Sequence, residues 1–250
     1  MVSNSNKLKQ LYPGGRAILG GALVATQAPG GAMLFARLGI GYLEVDGTRM
    51  LPSAASAISL MGRALGIPVI QRVSGSHRAN FGPALEGGAL GLSVPGVSSE
   101  DEAREVVSGS RYAPHGARGT FEPGPHNDYQ DDPQDLTALN RNIHVTLRLP
   151  PETPAEEVRR IAALDGIDAI EFEAAAPDDH AGALASSVRA VREGGALLGA
   201  QAGCADDIVP LVQAGAQLLR FADDIDLLSG YFADSLSRLR APVSEKRGAA

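Results

Sequence analysis

The sequence predicts an α/β protein folded as one (β/α)₈ TIM barrel, and three observations predict it. Short β-rich runs alternate eight times with longer Ala/Leu-rich amphipathic stretches. Glycines stand where helices must end before the next strand. The length, 250 residues, is that of one such barrel.

The elements follow in order. A strand over 17–23 leads to a helix over 30–38, which Gly39 closes. The second unit pairs 42–46 with 53–65 and stops at Gly66, and the third pairs 68–73 with 79–87 and stops at Gly88. The fourth pairs 91–94 with 100–110. Its helix opens on Ser98-Ser99-Glu100-Asp101-Glu102, a hydroxyl cap running into acids. The fifth pairs 143–149 with 154–164, where Pro154-Ala155-Glu156-Glu157 places proline and acids in the first turn and Gly166 follows. Strands over 169–172, 197–200 and 217–221 precede helices over 180–194, 205–214 and 225–240, with Gly195 and Gly215 as stops. Residues 1–240 are thus read as a single barrel and 241–250 as a disordered tail. One stretch, 112–142, breaks the pattern. It is rich in Gly, Pro, Asn and Asp and has no period, as functional or subunit-contacting loops do.

Composition narrows the function. A net charge of −7 argues against a nucleic-acid partner, since phosphate binding needs a basic face. No apolar run approaches a membrane span, and the first ten residues lack the apolar core of a secretory signal. A single cysteine, Cys204, excludes an internal disulfide and fits a reducing cytoplasm. Lys7, Lys9 and Lys246 are the three lysines and lie near the termini, so none is placed in the barrel body for Schiff-base chemistry.

Barrel sites form at the C-terminal ends of the strands. The residues there are Asp46-Gly47-Thr48-Arg49, Gln71-Arg72, Val94-Pro95, Arg148, Glu152, Glu171, Glu173, Asp178, Asp179, Gln201, Cys204 and Asp223-Asp224. Arg72 at a strand end reads as an anion-binding group. Arg49 either clamps a substrate carboxylate or pairs with Asp46 or Glu44, and Asp46 either reacts or orients its neighbours. Glu171 and Glu173 share a strand face, inside the barrel or towards the helices. Cys204 precedes a helix, a setting that can lower a thiol pKa, and reads first as a small packed side chain. His77, His115, His126, His144 and His180 form no close metal-spaced pair, so zinc is not expected. His115 and His126 fall by the long loop and read first as surface residues. Asp131-Asp132 reads as a solvated charge run, and Asp223-Asp224 either as strand-end site residues or, equally, as a cap for the last helix.

Several segments resemble one family. They are Gly39-Ile40-Gly41-Tyr42-Leu43-Glu44-Val45-Asp46-Gly47, Pro68-Val69-Ile70-Gln71-Arg72-Val73 and Gly87-Gly88-Ala89-Leu90-Gly91-Leu92-Ser93-Val94-Pro95. The most specific is Arg111-Tyr112-Ala113-Pro114-His115-Gly116-Ala117-Arg118-Gly119, similar to an Arg-Tyr-Pro-Pro-x-Gly-x-Arg-Gly signature. Together, from Gly15 to Leu239, they resemble the HpcH/HpaI aldolases, citrate lyase-like enzymes on the phosphoenolpyruvate/pyruvate type of barrel. The resemblance implies a divalent metal (Mg²⁺, Mn²⁺ or Co²⁺) held by a Glu and an Asp, a 2-oxo acid substrate such as pyruvate, an arginine beside the oxyanion and a histidine for acid–base work. Arg72 matches that arginine and Asp46 the turn aspartate, with Val94, Pro95 and Gln201 as further substrate contacts. The Glu-His pair after the turn is Thr48-Arg49 here, and an arginine cannot act as the base. For the metal ligands two registers stay open. Without gaps they fall on Pro150 and Ala176, which implies a lost site. Small compensating gaps place them on Glu152 and Asp179, a relocated site.

Two functions from different classes follow. One is a divergent carbon–carbon lyase, or a related decarboxylase, isomerase or cyclase acting on a carboxylate or 2-oxo acid in specialised metabolism, with or without metal. The other is a non-catalytic paralogue that binds a ligand or serves as an oligomer subunit. The resemblance also implies a homo-oligomer, a trimer or hexamer. The apolar face of 225–240 (Ile225, Leu227, Leu228, Tyr231, Phe232, Leu236, Leu239) would pack on a neighbour or on its own barrel.

Overall fold

Eight parallel strands close into a barrel in chain order, each paired with the next and the last with the first. The structure is a computed structural model and describes residues 7–12, 16–119, 123–127, 129, 136–173 and 181–245. The strands are β1 Ile18–Leu23, β2 Tyr42–Asp46, β3 Val69–Arg72, β4 Gly91–Val94, β5 His144–Leu149, β6 Ala169–Phe172, β7 Leu197–Ala202 and β8 Leu218–Asp223. The helices are α1 Lys7–Leu11, α2 Gly30–Arg37, α3 Pro52–Leu65, α4 Phe81–Glu86, α5 Glu100–Ser110, α6 Leu136–Asn142, α7 Ala155–Ala162, α8 Ala181–Gly194, α9 Ala205–Ala214 and α10 Asp224–Glu245.

Every predicted strand is present with its ends shifted by two residues at most. The six predicted stop glycines all have positive φ, for example 73° at Gly66 and 102° at Gly215, where a side chain would be strained. The Ser99 hydroxyl accepts from the Glu102 amide at the start of α5, as the cap pattern requires. Two helices were not expected. α1 is too short to show a period, and α6 lies inside the stretch predicted to be irregular, where Leu136 and Leu139 were its only signal. α10 runs on to Glu245, so 241–245 are helical rather than a loose tail. Pro242 removes one amide donor from the helix without stopping it. Asp131-Asp132, Asp178, Asp179, His180 and Lys246 lie outside the described residues.

Strand alternation sorts the residues into two environments. Outward side chains, such as Val45, Leu92, Val94, Val145, Leu147, Leu149 and Ile170, meet the helices in the main hydrophobic cores. Inward side chains fill the barrel itself. At its N-terminal end Leu8 of α1 closes a layer of Ile18, Tyr42, Ile70, Ala169 and Leu218. Above it the interior turns polar, whereas barrels of this type are usually filled by branched aliphatics. The His144 imidazole is fully buried between the Tyr12 hydroxyl, at Nδ1, and Thr146 Oγ1, 2.7 Å from Nε2. Glycines make room for the large inward groups. A Cβ on Gly20 would lie 2.3 Å from the Tyr42 ring, and one on Gly91 would lie 2.7 Å from the His144 carbonyl oxygen.

The long segment after α5 is fixed by the motif that carries the family resemblance. The Arg111 guanidinium donates to the carbonyls of Asn140, Ile143 (2.8 Å) and Gly166 (2.9 Å). Asn140 clasps the Tyr112 backbone, accepting from its N–H at 2.8 Å and donating to its carbonyl at 2.9 Å. Arg118 stacks 4.5 Å over the Tyr112 ring and pairs with Glu86 at 2.6 Å. His126 reaches the same carboxylate at 2.9 Å with its side chain 6% exposed, so it is tucked in rather than on the surface. These residues organise the fold and stand apart from the strand ends.

Six of the seven apolar residues named on the last helix, Ile225, Leu227, Leu228, Tyr231, Phe232 and Leu236, are exposed, Tyr231 to 70%. They do not dock on their own barrel. Among the described residues no helix is long and apolar enough to cross a membrane.

Burial is the largest influence on His144 and lowers its pKa to about 4, with nearby Lys9 and Arg111 adding to the effect and Asp168 opposing it. In the unfolded chain the ring takes up a proton below about 6.5, the ordinary value for a histidine, while in the fold it stays neutral down to about 4. The unfolded state therefore binds more protons in that window, and stability falls as pH drops through it, by on the order of 3 kcal/mol at its lower end. Urea unfolding at pH 6.5 and 4.5 is expected to show a larger loss in the wild type than in His144→Gln. Parallel losses would mean that another group titrates.

Candidate functional site

The inward residues at the C-terminal ends of the strands enclose a cavity of about 100 Å³ lined by Glu44, Asp46, Arg49, Arg72, Arg148, Gln201, Arg220 and Asp223, among others. A larger open groove of about 900 Å³ lies at the opposite end, beside Lys9, Arg111, Asn140 and Asp168. Asp168 there is engaged by Lys9 at 2.7 Å and by Arg111 at 3.7 Å, and Arg111 also clasps backbone carbonyls. Chemistry in a barrel belongs to the strand ends, so the smaller cavity is the candidate.

Its floor is a buried charge quartet. The Arg148 Nη2 donates to both oxygens of Glu44, at 2.6 and 2.8 Å. The Arg220 Nη2 donates to Glu171 Oε1 at 2.8 Å and Gln201 Oε1 at 2.9 Å. Two weaker approaches close the ring: Arg220 Nε lies 3.5 Å from Glu44 Oε1, and Arg148 Nη2 lies 3.8 Å from Glu171 Oε2. All four residues are buried. Strand alternation puts them there, each two residues from another inward position: Tyr42 before Glu44, Thr146 before Arg148, Ala169 before Glu171 and Leu218 before Arg220. Burial alone would raise the Glu44 pKa, but Arg220, Arg148 and Arg72 together outweigh it and hold the carboxyl below its usual range. Glu44 is therefore a fixed anion near neutral pH and not a proton carrier.

The rim is built on the Asp-Gly turn. Asp46 Oδ1 accepts from the Thr48 amide at 3.0 Å and the Thr48 hydroxyl at 2.5 Å, while Oδ2 faces Arg72 Nη1 at 3.5 Å and Arg49 Nε at 3.6 Å. Gly47 passes so close to β3 that a Cβ would lie 2.3 Å from Gln71 Nε2. Asp46 thus holds two arginines at the mouth. Opposite, Asp223 caps α10 by accepting from the Asp226 amide at 2.9 Å. Asp224 serves the loop after β1 instead, accepting from the Val24, Ala25 and Thr26 amides at 2.8, 3.1 and 2.6 Å.

Of the site residues expected from sequence, Asp46, Arg49, Arg72 and Gln201 come together at the cavity. Val94 does not. It points outward into the helix-facing core, because Ser93 takes the inward position opposite Arg72 and Thr146. Pro95 is partly buried beyond the strand and does not line the cavity. Glu152 is exposed on the turn after β5 and lies away from the cavity, while Asp179 is outside the described residues. Glu171 faces inward, and Glu173 accepts from the Gly96 amide at 3.1 Å. Cys204 is exposed at the start of α9 rather than packed, because its position is that of a helix cap. Sequence reasoning missed Arg220 altogether and saw Glu44 only as a partner for Arg49. The available signal was a charge within an apolar strand, Leu218-Leu219-Arg220-Phe221.

A divalent metal, as the family resemblance implies, does not fit the described residues. The carboxylates that line the cavity are already engaged: Glu44 with a buried guanidinium, Asp46 with Thr48 and the two rim arginines, and Asp223 with the Asp226 amide, while Glu171 behind them is held by Arg220. Among the described residues no group of three His, Cys, Asp or Glu is placed to hold a metal ion. The cavity also holds donors without acceptors. The Nε atoms of Arg72, Arg148 and Arg220 and the Ser93 hydroxyl are buried and make no hydrogen bond. Such groups are costly to leave unpaired.

Comparison with known proteins agrees with the resemblance read from the sequence. No family model matches the chain. It is 28% identical over 153 residues to the 4-hydroxy-2-oxovalerate aldolase of Novosphingobium aromaticivorans, covering 60% of this chain and 58% of that one. The chain spans 38–58% of the length of the curated relatives it matches. In fold it is similar to an HpcH/HpaI aldolase/citrate lyase family protein of Burkholderia cenocepacia, with a TM-score of 0.85 and 22% identity over 94% of this chain and 100% of that one. An HpcH/HpaI aldolase of Desulfitobacterium hafniense superposes with a TM-score of 0.83 and 23% identity over 94% and 97%. The resemblance and the barrel class are borne out, and the curated sequences it resembles include aldolases.

The quartet makes its members interdependent. Glu44→Gln leaves Arg148 buried without its carboxylate and is expected to cost about 3–5 kcal/mol in urea unfolding. Adding Arg148→Met should recover much of that loss, because the stranded charge goes too. Losses that simply add would show that the two side chains contribute independently.

Proposed function

We propose that the chain is a carbon–carbon lyase that takes a small carboxylate or 2-oxo acid and stabilises the enolate left by bond cleavage through guanidinium groups, without a metal. The observation that carries this reading is the buried Nε donors of Arg72 and Arg148, which make no hydrogen bond beside one cavity, with Arg220 Nε held only by its 3.5 Å approach to Glu44. Carboxylate and enolate oxygens are the acceptors that such a fork is shaped for. At about 100 Å³ the cavity is far below the roughly 300–1,000 Å³ of drug-sized sites, which suits a small acid. Donors aimed at an oxyanion in a dry cavity are the strongest single contribution an enzyme makes to such a step.

The residues also favour one kind of cleavage. Arg49 stands where the family resemblance implies a histidine, and Glu44 is held as an anion by its arginines. A retro-aldol step must first remove a hydroxyl proton. A 2-oxo diacid whose second carboxylate lies β to the ketone instead loses carbon dioxide with no base required: the bonding pair passes into the enolate, which then takes a proton from water. In this reading Arg72 and Arg49 hold a carboxylate at the mouth, Asp46 positions both, and the Nε groups of Arg148 and Arg220 meet the oxyanion. A 2-oxo acid substrate, an assembly of three or six copies and a cytoplasmic setting belong to the same proposal. The assembly is supported by the exposed apolar face of α10, which a neighbouring copy would cover.

The test uses oxaloacetate as the reacting probe and oxalate as a mimic of the enolate. Decarboxylation above the spontaneous rate is expected, unchanged by EDTA and about 100-fold slower in Arg72→Ala. Oxalate binding without turnover would instead establish the non-catalytic, ligand-binding paralogue, and absence of both would reject the cavity as an acid site. For the assembly, sedimentation velocity is expected to give three or six copies, and the double variant Tyr231→Glu/Phe232→Glu smaller species. A monomeric wild type would reject that part.

A further inference from the structure

The interior supplies, from its own chain, the positive charge that a metal ion would otherwise bring. Arg220 enters from β8, and its residue is 6% exposed. Its guanidinium meets three oxygens from three other strands: Glu171 Oε1 at 2.8 Å, Gln201 Oε1 at 2.9 Å and, from Nε, Glu44 Oε1 at 3.5 Å. Two carboxylate oxygens and an amide oxygen are a hard donor set of the kind that magnesium and manganese accept, with water completing the shell. We infer that the Arg220 guanidinium is the resident cation of this barrel, filling an oxygen cradle that takes a divalent metal ion once that side chain is removed.

Charge balance carries the argument. Glu44 and Glu171 face Arg148 and Arg220, so the quartet is neutral as built. Removing Arg220 leaves one uncompensated negative charge in a buried site, the kind of loss that destabilises a fold most strongly. Three things can restore the balance. A carboxyl can take up a proton, which gives up its charge-assisted contacts. Arg148 can turn from Glu44 towards Glu171, now 3.8 Å away, but it already spends its Nη2 on both oxygens of Glu44. Or a cation can enter from solvent, and the adjoining cavity gives it both a path and room for its waters. A divalent ion bonds oxygen at about 2.0–2.2 Å, closer than a guanidinium does, so binding requires the three oxygens to draw together into the vacated space. This inference does not rest on the lyase reading, because metal binding is measured without substrate or turnover.

The experiment is a Mn²⁺ titration of the full chain followed by electron paramagnetic resonance, with thermal unfolding alongside. The wild type and Arg220→Lys are expected to leave Mn²⁺ free, since a cation already occupies the cradle. Arg220→Ala is expected to bind one equivalent at least tenfold more tightly than the wild type, and its melting temperature should rise with Mn²⁺. The double variant Arg220→Ala/Glu171→Gln should lose both effects. If Arg220→Ala folds only in the presence of Mn²⁺, metal-dependent recovery of its helical circular dichroism is the same result. The inference is overturned if folded Arg220→Ala leaves Mn²⁺ as free as the wild type does, or if it fails to fold at any Mn²⁺ concentration. It is equally overturned if the wild type binds one Mn²⁺ that Glu171→Gln abolishes, because the cradle would then be open with Arg220 in place.

Discussion

A closed barrel has no slack for an unbalanced charge, and the rest of this molecule is arranged around that constraint. Four ionised side chains from four strands meet in its interior, where water cannot screen them, and they persist because each finds its opposite within hydrogen-bonding reach. The register of the sheet delivers them. Arg148 stands beside Glu171 on adjacent strands, and Gln201 beside Arg220. Glu44 reaches Arg148 across the interior, and the glycines at 20 and 91 give the neighbouring Tyr42 and His144 the volume they need. Packing below the quartet and binding above it are therefore consequences of one electrostatic arrangement.

Much of the scaffold was legible in the sequence because its signals are local. Period-two runs mark strands, glycines with positive φ mark helix ends, and Ser99 with its acids marks a start. The site was legible only in part, because side-chain partners are not local. The apolar run around Arg220 marks it as an unusual charge but does not show that it points inward at Glu171, since which face of a strand is the interior depends on how eight strands close. The same ambiguity misplaced Val94, one residue from the inward Ser93. α6 and the extension of α10 escaped notice for another reason: the first is a short turn in a polar segment, and the second contains a proline.

The motif that best identified the fold turned out to be structural. Arg111, Tyr112, Asn140 and Arg118 bind a long segment to the barrel wall, far from the strand ends. Likeness to HpcH/HpaI aldolases therefore speaks first for the scaffold, and it leaves the interior free to differ. It does differ. Arg49 occupies a position where the resemblance implies a base, and the carboxylates facing the cavity are engaged by guanidinium and hydroxyl groups. The chemistry must be read from these residues and not from the fold.

The seam of the barrel has a consequence for how the protein is made. Asp224 binds amides in the loop after β1 across 200 residues of chain, and Arg220 completes the quartet from the same final strand. On a ribosome, the first seven strands can emerge and begin to pair while Glu44 and Arg148 have only each other. The last strand must clear the exit tunnel before the mouth has its loop and Glu171 its guanidinium. Until then the nascent chain carries an exposed sheet edge and an unneutralised acid, the state in which it is most open to capture by a chaperone or by another unfinished copy.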